Sequence, residues 1–168
     1  MPKLTKPRSH KAGLPPGSLV YIGDQPVARV KITLIDYAEA KLEEREVTSV
    51  EECFPFKATP TVTWINVDGL QPEVIRSLGE HFGLHPLVQE DILNTDQRPK
   101  FEEFEDYCYV VFRRLALEDT KGAVASEQIS LIVGGTFLLS FQESVGTVFA
   151  PVRERLRGGV GRMRKMGT

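Results

Sequence analysis

Val30, Ile32 and Leu34 alternate with Arg29, Lys31 and Thr33, the period of two that marks a half-buried strand, and the pattern predicts a strand from Val27 to Tyr37. Leu19 to Gly23 predicts a strand before it, with Gly23-Asp24-Gln25-Pro26 as the turn of a hairpin. Lys41 to Val47 has only Leu42 and Val47 as large apolar residues, which suits a charged edge strand, with a helix as the competing reading. Thr61 to Val67 is dense in β-branched and aromatic residues and ends at Asp68-Gly69, so it predicts a central strand closed by a turn.

Beyond Gly69 the period changes. Val74, Ile75, Leu78 and Phe82 form one helical stripe behind Pro72, and Gly83 is its stop. Pro86 opens a second helix that is expected to carry Leu87, Val88, Ile92 and Leu93 inward, so two short helices meet near His85. From Pro99 the pattern is β again. Tyr107 to Leu117 is apolar on both faces in its first half, predicting cover on both sides there. Gln128 to Val133 and Thr136 to Gln142 predict a hairpin about Gly134-Gly135. Val148 to about Arg157 predicts a helix with Pro151 in its first turn, interrupted by Gly158, Gly159 and Gly161. This order implies an α/β fold, a mixed sheet with helices on one or both faces and one long crossover after Val67. Residues 1–17, with four prolines in the first sixteen positions, read as a flexible basic arm. Residues 18–157 read as the domain and 158–168 as a basic tail.

Composition narrows the function classes. The chain has 168 residues, with 21 Lys plus Arg against 23 Asp plus Glu, so no global charge calls for nucleic acid. Cys53 and Cys108 lie outside any CxxC spacing, which suits a reducing compartment and two buried small hydrophobes. A membrane span needs about 20 consecutive apolar residues, whereas Ile129 to Phe141 is broken by Ser130, Gly134, Gly135, Thr136 and Ser140. The basic N-terminus lacks a following apolar stretch of the kind a secretory signal requires. The chain is expected to be soluble as given and to be part of a longer protein.

Few residues carry candidate chemistry. Glu90 and Asp91 are adjacent on a helix, so their side chains leave it about 100° apart, poorly placed to chelate one ion side by side; they read as two solvated acids, as members of two neighbouring sites, or as bridges from water-coordinated cations to carboxylates on another helix or subunit. Carboxylate oxygens suit magnesium, which keeps much of its water. His81 and His85 have the spacing of two zinc ligands on a helix, but Gly83 and Pro86 interrupt it, which favours His85 as a polar cap. Glu102, Glu103, Glu105 and Asp106 read as a polar strand face leading into a turn. Arg153, Arg155, Arg157, Arg162, Arg164 and Lys165 read as a solvated helix face and tail, or as partners for acids on another subunit or for lipid headgroups. The sequence has no P-loop, no GxGxxG after a strand and no GxSxG elbow, so no enzyme and no catalytic residue is expected.

Four blocks, VKITLIDYAEAKLEEREV, the run from Trp64 to Lys100, SEQISLIVGGTFLLSFQE and VFAPVRERLRGGVGRMRK, follow one another with the spacing of the cytoplasmic domain of CorA-type magnesium and cobalt channels, which the chain closely resembles. The resemblance implies an α/β/α sandwich around a mixed parallel/antiparallel sheet, followed by long helices, two membrane helices and a Gly-Met-Asn signature, assembled as a homopentamer. It implies a divalent-cation-sensing domain at the cytoplasmic face of the inner membrane that gates transport. Mg2+ would be both regulator and cargo, with Co2+ or Ni2+ as alternatives, and no nucleic acid as partner. In HPLVQEDILN, Glu90 and Asp91 match the acidic pair that in the family binds regulatory cations between protomers, with partner carboxylates on the later helices. No Gly-Met-Asn occurs in the chain. A related zinc transporter and a free-standing soluble cation-binding module are the competing expectations.

Overall fold

The alternating segments assemble into a single seven-stranded sheet: β1 (Lys31–Tyr37), β2 (Leu42–Val47), β3 (Val62–Asp68), β4 (Lys100–Glu103), β5 (Tyr107–Glu118), β6 (Ala123–Gly134) and β7 (Phe137–Gln142). The strand order is β2-β1-β3-β7-β6-β5-β4. This is a computed structural model, and it describes residues 13–22, 30–118, 123–159 and 161–168. Among these strands β3 and β7 pair parallel and the other neighbours antiparallel. A parallel neighbour cannot be reached by a tight turn. The chain leaves β3 through α1 (Pro72–Phe82) and α2 (Pro86–Leu93), enters the sheet at the far edge as β4, and works back through β5 and β6 to β7.

Strand alternation sorts apolar side chains onto two faces. Leu34, Ile65, Val67, Leu139 and Tyr109 meet Ile75, Leu78, Phe82, Val88, Ile92 and Leu93 of α1 and α2 in the larger core. Ile35, Tyr37 and Trp64 point the other way and enclose Leu156 of α3 (Ala150–Gly158), with Leu138, Phe149 and Met163 packed alongside. Helices on both faces of a mixed sheet make the expected α/β/α sandwich. Each fully buried Leu or Ile contributes about 1.5–3 kcal/mol, so the larger core dominates stability.

A polar thread crosses the parallel pair. Trp64 Nε1 donates to Ser140 Oγ at 2.8 Å, and Ser140 donates to Asn66 Oδ1 at 2.7 Å. Asn66 Nδ2 in turn donates to Asp68 at 2.8 Å, and Gln142 also donates to that carboxylate. All five side chains are buried, and the bonds satisfy the atoms that make them, while Gln142 Oε1 has no partner among the described residues.

Several expectations are corrected. The expected strand at Leu19 to Gly23 is absent from the described positions, where Ile22 makes one isolated bridge to Asn94. The expected turn at Gly23 to Pro26 lies outside the described residues, and β1 starts at Lys31. Leu87 is 48% exposed rather than inward, because it sits in the first turn of α2 on the side away from the sheet. The first half of β5 is fully buried on one face only, at Tyr107, Tyr109 and Val111, while Cys108, Val110 and Phe112 are half-buried. α3 packs through Leu156 on Ile35, Tyr37 and Trp64 of β1 and β3 rather than on β5. β6 begins five residues earlier than predicted, and β5 with β6 extends beyond the sheet as a ribbon bearing exposed Leu115, Leu117 and Val124. The hairpin turn falls at Gly135-Thr136, one position late, because Gly134 is the last residue of β6. A Cβ at Gly134 would collide with the Phe137 ring.

The 3-10 helix Val50–Ala58 has no counterpart in the sequence reading. Its signal is Ser49 followed three residues later by Glu52, whose carboxylate accepts from the Thr48 and Ser49 N–H groups at 2.9 and 3.2 Å.

Two predictions follow from this packing. At Gly79 a Cβ would lie 2.6 Å from Gln89 Nε2, and Gln89 is buried and donates to Leu84 O at 2.9 Å. Gly79→Ala gains about 1 kcal/mol of helix propensity but displaces that amide, so a net loss of about 1–3 kcal/mol is expected in urea unfolding. A more stable variant would show that Gln89 yields freely. The Arg45 guanidinium, with the Thr48 and Ser49 groups, pulls the Glu52 carboxyl from 4.5 down to about 2. A depressed folded-state value stabilises above pH 4.5 and the benefit disappears as pH falls toward 2. Glu52→Gln should therefore lower the thermal midpoint at pH 7, and the gap to the parent chain should narrow below pH 4.5; a gap independent of pH would contradict this.

Candidate functional site: the acidic pair on the second helix

The corner between α1 and α2 is set by three residues. Gly83 takes the left-handed conformation (φ 76°) that ends α1. Pro86 opens α2 where no intrahelical N–H is needed. His85 caps α2 by accepting from Leu87 N–H through Nδ1 at 3.2 Å, while its own N–H donates to Tyr107 Oη at 3.0 Å. Val88, Gln89, Ile92 and Leu93 are buried against the sheet and α1. That leaves Glu90 and Asp91 half-buried on the flanks of α2.

The two carboxylates diverge. Glu90 Oε2 accepts from Gly17 N–H at 2.6 Å, facing the segment before Ile22. Asp91 faces β4: Oδ1 accepts from Gln97 Nε2 at 2.7 Å, and Oδ2 is ion-paired to Lys100 Nζ at 2.6 Å. Lys100 also pairs with Glu102 at 2.9 Å and sits 5.1 Å from the centroid of the Tyr109 ring. Burial alone would lower the Lys100 pKa, but the hydrogen bonds to Asp91 and Glu102 outweigh it and hold the ammonium above its usual value. Burial raises the Tyr109 phenol, Ser130 opposing slightly, so it stays protonated.

The backbone under Asp91 is pinned as well. Buried Gln128 of β6 donates from Nε2 to Asp91 O at 3.1 Å and accepts from Gln97 N–H at 3.0 Å. Arg113 of β5 donates to Thr95 O at 3.2 Å and to Gln97 O at 3.4 Å. The loop between α2 and β4 is thus tied to the sheet at both levels.

The other candidates resolve differently. His81 stacks on Phe54 with ring centroids 4.0 Å apart and its Nε2 lies 2.9 Å from Phe54 O, while His85 is the cap, so the pair does not converge on a metal. Glu102 and Glu103 lie on β4 and the following acids in the turn to β5, as a polar strand face. In the basic cluster, Arg157 makes a two-pronged pair with Glu44 at 2.6 and 2.7 Å and Lys165 pairs with Glu39 at 2.9 Å. Arg164 caps the end of α3 through Leu156 O and Arg157 O. These cations hold α3 and the tail against the domain. Cys53 is buried and its thiol is pushed up to about 12, chiefly by that burial, so it is unreactive; Cys108 is half-buried.

Among the described residues no three His, Cys, Asp or Glu side chains form a ready metal site. The donor type nevertheless fits a hard cation, since Glu90 and Asp91 offer carboxylate oxygens. The number does not, because each contributes to a separate flank. The pair fits a divalent ion only as part of a site completed by further oxygens.

The sequence reading did not single out Lys100, Gln97, Gln128 or Gly17, although they surround the acidic pair. Lys100 lies nine residues past Asp91, a spacing without helical or strand meaning. Only the return of the chain at β4 brings them together.

The model of CorA-like Mg2+ transporter proteins matches residues 60–166. The chain is 44% identical over 158 residues to the cobalt/magnesium transport protein CorA of Thermotoga maritima, covering 94% of this chain and 45% of that protein. It is 29% identical over 129 residues to the putative metal ion transporter YfjQ of Bacillus subtilis, covering 76% of this chain and 37% of the relative. The chain thus spans less than half the length of these relatives. Its fold is shared with the soluble domain of CorA from Methanocaldococcus jannaschii (TM-score 0.51, 13% identity, 80% of this chain and 48% of that one). It is shared too with the ZntB cytoplasmic domain from Vibrio parahaemolyticus (TM-score 0.58, 17% identity, 78% and 51%). No helix among the described residues is long and apolar enough to cross a membrane. With the family model covering most of the chain and close sequence identity along nearly all of it, the chain belongs to the CorA-like family of Mg2+ transporter proteins.

Proposed function

We propose that the chain works as the cytoplasmic regulatory domain of a channel for Mg2+ or Co2+, with Glu90 and Asp91 as its share of cation sites completed by carboxylates outside this chain. The observation that carries the reading is the divergence of the two carboxylates on α2. Each is anchored by its own neighbours, Glu90 by Gly17 N–H and Asp91 by Gln97 and Lys100. Two half-sites on opposite flanks of a helix suit ions shared with neighbouring subunits in a ring. The named activity of the Thermotoga maritima relative supports the choice of cargo.

The physical logic is that of a ligand-biased equilibrium. A divalent ion between facing carboxylates neutralises charges that otherwise repel, and so favours the arrangement that brings them together. Falling Mg2+ releases the ion, like charges separate, and the ring loosens. A ring of five, seated at the inner membrane through helices that follow this domain, is the assembly we assign to the complete protein.

Two measurements test this. The gene beyond the codon for Thr168 is expected to encode two apolar stretches of about 20 residues with Gly-Met-Asn at the end of the first; a stop codon there would make the chain a free-standing module. In the complete gene product, Glu90→Ala with Asp91→Ala is expected to leave ion flux high at Mg2+ concentrations that close the parent channel. Unchanged magnesium dependence would overturn the assignment of these residues.

A further inference from the structure

Asp91 already has a cation. Lys100 Nζ lies 2.6 Å from Asp91 Oδ2 and 2.9 Å from Glu102 Oε1, so one ammonium is shared by two carboxylates. The side chains of Lys100 and Asp91 are each only 24% exposed, which sets this pair apart from the exposed Lys165–Glu39 pair at 58% and 67%. Lys100 is the first residue of β4 and stands opposite Val111 in the register, so the sheet fixes the origin of its reach. Gln97 donates to Asp91 Oδ1 and Gln128 pins the Asp91 backbone carbonyl, so Oδ2, on the Lys100 side, is the carboxylate oxygen that faces a cation.

We infer that Lys100 is a tethered competitor for the divalent ion at Asp91, and that it sets the cation concentration at which this half of the site fills. The inference rests on the reading of Asp91 as a regulatory ligand. The ammonium is a single charge on a flexible four-carbon stem, so it can leave Asp91 and keep its bond to Glu102. A divalent ion brings twice the charge and takes the vacated oxygen. Its apparent affinity is lowered in proportion to the fraction of Asp91 that Lys100 leaves open. Glu102 thereby acquires a role that the sequence does not display, as the second berth for the displaced lysine. The arrangement stabilises the ion-free domain, since Asp91 is never left half-buried without a counter-charge.

The test uses the complete gene product and reads the Mg2+ concentration at half-maximal protection from proteolysis, together with the thermal midpoint without Mg2+. Lys100→Gln should lower that concentration about tenfold, the scale of losing one unit charge at contact distance under water-like screening, and should lower the metal-free thermal midpoint. Lys100→Arg, which keeps the charge, should stay at or above the parent concentration. Asp91→Asn should raise it several-fold. If Lys100→Gln leaves it unchanged or raises it while Asp91→Asn raises it, the competitor role is wrong and the regulatory reading stands. If Asp91→Asn has no effect, the regulatory reading fails and this inference fails with it.

Discussion

The parallel pairing of β3 with β7 is the constraint from which the rest of the molecule follows. A strand cannot turn directly into a parallel neighbour, so the chain must leave the sheet after Asp68 and return elsewhere. It does so through α1 and α2, which cover one face, and it re-enters at the far edge as β4. That detour places Asp91 of α2 beside the edge strand that carries Lys100 and Glu102, while Glu90 faces the Gly17 segment. The buried thread from Trp64 through Ser140 and Asn66 to Asp68 and Gln142 fastens the same pair of strands. Its bonds cross from β3 to β7 at Trp64–Ser140, Ser140–Asn66 and Gln142–Asp68, so they tie the register of the parallel pair.

One ammonium against two carboxylates leaves the Asp91, Lys100 and Glu102 group with an excess negative charge. On the proposal made above, that excess is what an external ion would answer, with the lysine as counter-charge of Asp91 in the ion-free domain. The basic cluster near the C-terminus is employed otherwise, in closing α3 onto Glu44 and capping its end. The basic run near the C-terminus thus fastens α3 to the domain, whereas the ion pair at Asp91 joins α2 to β4.

Legibility followed sequence distance. Both ends of α1 and the start of α2 were readable to within a residue because Pro72, Gly83 and Pro86 act through local backbone geometry, and the capping role of His85 was readable for the same reason. β3 announced itself through TVTWINV. The early part of β6 was not, since Ala123 to Gln128 lacks a strong alternation and is a strand because β5 lies beside it. Leu87 misled because an apolar residue in a first helical turn is as free to face solvent as the core. At the site, the carboxylates and their divergence could be read from adjacent positions on a helix. The cation beside Asp91 could not, because it depends on where a strand returns after a loop pinned by Gln128 and Arg113.

The most direct test of the claim that α2 contributes to a divalent-cation site is an anomalous diffraction experiment on crystals of the complete gene product grown with Co2+. The account predicts a peak about 2.1 Å from an Asp91 or Glu90 carboxylate oxygen, or about 4 Å from it where one bound water lies between. Strong peaks elsewhere in the protein, with none along α2, would contradict it.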